Sequence, residues 1–125
     1  MALGQQAAAD LWKAAEAGTL KLTEAAAREC ARHYEAFAED MEKRQQELYQ
    51  VKRLDGFGSL GSGRKLQQGF EGKAYQAFDA FKTAQQSALR MAAAIYKAAG
   101  LINDADAANA AALRTATKEM PNDQK

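Results

Sequence analysis

The sequence predicts an all-α protein, and three observations predict it. Of 125 residues, 30 are Ala, 11 Leu and 11 Gln, against 2 Ile, 1 Val and 5 Thr. The abundant types cost little in a helix, and the scarce ones are those that strands favour. Two long stretches carry apolar residues at alternating spacings of three and four, which is the helical period. Between them six of the nine glycines, at 56, 58, 61, 63, 69 and 72, fall within 17 residues. Such a cluster of permissive backbone predicts one chain reversal between two long helices.

An alanine-rich stretch over 5–17, closed by Gly18, predicts a short first helix, with Trp12 expected to pin it to the rest. A long helix is expected over 20–54, where Leu20, Thr23, Ala27, Cys30, Tyr34, Phe37, Met41, Arg44, Leu48 and Val51 keep the three-four spacing without a break. That repeat marks a seam facing partner helices. Thr19 or Thr23 is the expected cap, and Glu24 suits the positive end of the helix dipole. The turn is expected over 55–65. Within it Phe57, flanked by glycines, either plugs the end of the helical pair or is offered to a partner. A second long helix is expected over 66–99, with Phe70, Ala74, Ala77, Phe81, Ala84, Ala88, Met91 and Ile95 on its seam, widened by Phe78, Leu89, Ala92 and Tyr96. Gly69 and Gly72 weaken its first turns while permitting a close neighbour. Gly100 ends it, Asn103 is the expected cap of a last helix over 103–118, and 119–125 is a polar tail.

The expected architecture is therefore one domain over 1–125, a long antiparallel helical hairpin with short flanking helices. Two helices alone cannot hide stripes this wide, so the hairpin is expected to complete a four-helix bundle on dimerisation. The anchors expected at the partner interface are Phe70, Phe78, Phe81, Leu89, Met91 and Ile95.

Charge and motifs narrow the function. Lys plus Arg is 17 and Asp plus Glu is 16, a balance with no global field to gather nucleic acid or an anionic membrane. No run of ~18 apolar residues exists, which speaks against stable membrane insertion. The start MALGQQAAAD lacks the basic and apolar regions of a signal peptide, so the chain is expected in the cytoplasm before any export. Cys30, the one cysteine, has no disulfide partner and reads as a small core residue. His33 is the one histidine, too few ligands for a zinc or di-iron site. Gly58 and Gly63 have the separation of a phosphate-binding loop, but Arg64 stands where its Lys belongs, Lys65 comes one residue late, and Leu66 then replaces the hydroxyl. No strand precedes it to frame a cradle. Asp104 and Asp106 have calcium-loop spacing, but Asn109 occupies the glycine position and the closing Glu is absent. No catalytic residue, cofactor or metal is therefore assigned, and a non-enzyme is expected.

The residues that remain carry a resemblance. The turn Asp55, Gly56, Phe57 and Gly58 followed by SLGSG, then LQQGFEGKA over 66–74 and LRMAAAIYKAAG over 89–100, resemble the Trp-x-Gly (WXG) superfamily of type VII (ESX) secretion. The likeness is to its actinobacterial branch with an Asp-Gly-Phe-Gly turn, and it covers about residues 20–114. It implies a small helical hairpin that pairs with itself or with a related hairpin, or accompanies a larger toxin-like substrate, and that is secreted without a cleavable signal peptide. Phe57 stands where the family's turn has Trp. Tyr96 matches the tyrosine of the family's Tyr-x-x-x-Asp/Glu export signal, with Gly100 at the acidic position. The alternatives are a membrane-active secreted effector and an intracellular coiled-coil adaptor unrelated to secretion.

Overall fold

A computed structural model describes residues 4–52 and 61–119, and the described chain is all-helical. Four helices follow one another: α1 (Gln5–Ala17), α2 (Glu24–Lys52), α3 (Gly61–Ala98) and α4 (Ile102–Ala116). The second long helix begins five residues before the expected 66, so Gly61 to Lys65 are helical rather than turn. The turn residues Asp55, Gly56, Phe57 and Gly58, and the plug expected of Phe57, lie outside the described residues.

The helix ends have local causes. Gly18 follows α1 with φ of 79°, its N–H reaching the Ala15 carbonyl while Thr19 N–H reaches Ala14. Gly100 repeats the pattern after α3 with φ of 74°, its N–H on Lys97 and Leu101 N–H on Tyr96. Both are left-handed terminations that a side chain would strain, since only glycine takes this conformation freely. Thr23 caps α2, its Oγ1 accepting from Ala26 N–H at 3.2 Å. Thr19 instead donates its hydroxyl to the Ala14 carbonyl at the end of α1. Asn103 is not a cap: α4 begins one residue earlier, after Leu101, without a side-chain cap.

The helices are arranged around α3. It packs against α1, α2 and α4, while no Cα of those three helices comes within 8 Å of another of them. Directions follow from pairwise contacts. Leu22 N–H meets the Ala98 carbonyl and Gln45 meets Gln85, so α2 runs antiparallel to α3. Arg28 bridges to Asp104 and Glu42 to Lys118, so α4 runs alongside α2 in the same direction. The Lys97 ammonium sits 5.3 Å from the centre of the Trp12 ring, which ties α1 to the end of α3. Trp12 also packs on the main core.

A helix enclosed on several sides must be apolar and small on all of them. The run Ala92–Ala93–Ala94 answers that demand, with no exposed surface at any of the three, and Ile95, Tyr96 and Ala98 are buried beside it. Ala27 and Ala31 of α2 and Ala105 and Ala108 of α4 face this run. Over this stretch the cover expected from a second chain is thus supplied by α1 and α4 of the same chain. A second, smaller cluster joins Ala74 and Phe78 of α3 to Leu48 and Tyr49 of α2.

The seam of α2 differs from the expected one in every second position. Ala27, Tyr34, Met41 and Leu48 are shared, but Ala31, Ala38 and Gln45 are buried where Cys30, Phe37 and Arg44 were expected. All three of the latter are exposed, so Cys30 is not a core residue. The reason is steric: α2 lies close to α3 through alanines, and a phenylalanine at that contact would hold the helices apart. Gly69 and Gly72 do not mediate a close approach within the chain, since a Cβ at either would meet nothing within 4 Å.

Candidate functional site

Three satellite helices around one central helix leave grooves between them, and their linings differ. The groove between α2 and α4 is polar, with Glu35, Glu39, Glu42, Arg114 and Lys118 among its residues. The groove between the start of α1 and α2 is about 800 Å³ and largely apolar, with Tyr34 and Phe37 contributed by α2 and Ala80, Ala84, Ala88 and Met91 by α3. Phe37 is 48% exposed there. A phenyl ring left half in water beside a methionine and the alanines of α3 is the strongest apolar recognition feature among the described residues.

The six expected interface residues are not brought to one surface. Phe78 and Ile95 are consumed inside the chain, in the smaller and the main cluster respectively. Met91 reaches the apolar groove, Leu89 faces the polar groove on another side of α3, and Phe70 and Phe81 are half-buried. His33 also borders the apolar groove. Among the described residues no group of three or more His, Cys, Asp or Glu is placed to hold a metal ion. No helix among them is long and apolar enough to cross a membrane.

Tyr96, the residue that resembles an export signal, is only 8% exposed. Its hydroxyl donates to Glu35 Oε1 at 3.0 Å. Folded this way, it offers a receptor almost no side-chain surface. Burial first, and the Glu35 carboxylate second, push the Tyr96 pKa up to about 12. The neutral phenol is therefore the form the fold holds. An unfolded tyrosine loses its proton near pH 10, so this contribution to stability is whole below pH 10 and is lost as pH rises through about 12. Denaturant melts at pH 9 and pH 11.5 should show the wild type losing stability more steeply than Tyr96→Phe; parallel losses would contradict the assignment.

Two buried glutamines, Gln45 and Gln85, lie outside the core expected from the sequence. Gln45 is 2% exposed, and its Nε2 donates to Gln85 Oε1 at 2.8 Å and to the Met41 carbonyl at 3.1 Å. Lys118 Nζ donates to the same Gln85 oxygen at 3.1 Å, and burial lowers the lysine's pKa. The one available signal was positional: Gln45 keeps the three-four spacing with Met41 and Leu48 as well as Arg44 does.

No family model, no curated protein and no solved structure matches this chain.

Proposed function

We propose that the chain is a small helical-hairpin protein associated with type VII (ESX) secretion, acting by forming a helix bundle with a protein partner. It serves either as a secreted substrate or as the companion of a larger toxin-like substrate. It works by binding and performs no catalysis. The family reading rests on the resemblance of residues 55–58, 66–74 and 89–100. The binding mode rests on one observation, the apolar groove in which Phe37 and Met91 stand partly exposed. An amphipathic helix laid into that groove buries its apolar face there, as helix-in-groove recognition requires. The partner is a second copy, a related hairpin or the larger toxin-like substrate itself, taken up in the cytoplasm and exported with it.

The test is the mass of the assembly. The chain produced together with the protein encoded beside it should scatter light as a complex well above its own 13.5 kDa. Phe37→Ala with Met91→Ala should return it to the single-chain mass at unchanged helical content. A wild type that stays at 13.5 kDa alone and with that neighbour, or a double variant that assembles as before, would overturn the binding mode. Export that persists without the secretion ATPase would overturn the secretion reading.

A further inference from the structure

The third groove carries chemistry that neither of the others has. Between α1 and α4 lies a cleft of about 590 Å³ walled by Ala8, Ala9 and Trp12 on one side and Asn109 and Leu113 on the other, with Arg90 of α3 between them. The apolar wall is open to ligands: Leu113 is 63% exposed. Arg90 is the anomaly. Its Nε is buried without a hydrogen-bond partner, and among the described residues it forms no ion pair. Arg28 is matched by Glu24 and Asp104 and Arg44 by Asp40 and Glu47, while Arg32, Arg64 and Arg114 are exposed to water; Arg90 differs from all of these in its sealed inner nitrogen. The sealed nitrogen leaves the guanidinium partly desolvated, so its outer nitrogens, which are not sealed, gain from an anion in the cleft. Lys13 and Glu16 also border the cleft and oppose one another in charge, so Arg90 sets the sign of the site.

We propose that this cleft binds an apolar carboxylate, a medium-chain acid whose carboxylate pairs with Arg90 while its hydrocarbon lies against Trp12 and Leu113. The volume falls in the range of small-ligand sites, and the exposed lining is largely apolar with a few polar groups around it, which is their usual make-up. One guanidinium suits a monoanion better than a phosphate ester, which asks for more than one cation. The site lies on a different side of α3 from the apolar partner groove and does not depend on the secretion reading.

Trp12 is the one tryptophan of the sequence, so its emission reports on this cleft directly. Decanoate, titrated below its micelle concentration into the full chain, should change that emission saturably at one site per chain. Decanol, with the same hydrocarbon and no charge, should bind on the order of tenfold more weakly, as a charge-assisted hydrogen bond implies. Arg90→Met should abolish the preference for the acid and Arg90→Lys should keep part of it. Should Arg90→Met fail to fold, Leu113→Ser, a change at an exposed position, should weaken decanoate severalfold. Equal binding of acid and alcohol, a preference that survives Arg90→Met, or decanoate binding indifferent to Leu113→Ser would overturn the proposal.

Discussion

Phe78→Ala lowers the stability of the folded chain by about 3 kcal/mol, toward the low end of what truncating a buried phenylalanine costs. The ring is buried among Ala74, Leu48 and Tyr49 in the smaller of the two clusters. Deleting it removes the one large fully enclosed apolar side chain of that cluster. The remaining neighbours are few, so partial collapse keeps the cost below that of a cavity in a thick core. Against the roughly 5–15 kcal/mol by which domains are stable, the loss is large and easily read as a lower urea midpoint. The result also separates two roles. An interface residue would leave the free chain's stability nearly unchanged and weaken only the complex. A Phe78→Ala chain as stable as wild type would return this residue to the partner interface expected from the sequence.

Gln85→Leu costs about 2 kcal/mol, although leucine fills much the same space. Its Oε1 accepts from both Gln45 and Lys118; removing it leaves one N–H of the buried Gln45 amide without an acceptor, which costs about 1–3 kcal/mol, while Lys118 stays partly exposed beside Glu42. The informative variant is the pair. Gln45 Oε1 is itself buried without a partner, so Gln45→Leu with Gln85→Leu removes an unsatisfied oxygen along with the orphaned donor. The double variant should therefore be more stable than Gln85→Leu alone, because replacing both members of a buried polar pair is often close to neutral. A double-mutant cycle in chemical denaturation measures this coupling. Strictly additive losses would show that the two glutamines do not act as a unit. The pair also joins α2, α3 and the end of α4 at one level, so the double variant should loosen their register before it unfolds.

Much of the local structure was legible in the sequence. α1 occupies the stretch closed by Gly18, Gly100 ends α3 in a left-handed residue, and Thr23 caps α2. Each depends on a few neighbouring residues, which is why a linear reading reaches it. Arg90 was not legible as a site residue, because its significance lies in the absence of a partner, and partners come from other helices. Phe37 was legible as apolar and helical but not as exposed. Positions 37 and 38 differ by roughly 100° around a helix, and both Phe37 and Ala38 extend the three-four spacing set by Tyr34 and Met41. Periodicity weighted by side-chain size chooses the phenylalanine.

Composition, period and glycine placement act over a few residues, so they specify a helical chain, about where its helices end, and a thin apolar surface. That α3 is central, that α1 and α4 cover its last turns, and that Phe37 and Arg90 face grooves depends on how the helices pack against one another. The cause lies in the 30 alanines. Alanine favours the helix everywhere and states no preference for inside or outside, so which alanines become core is settled by how closely neighbouring helices approach. The larger side chains then fall where that approach leaves room.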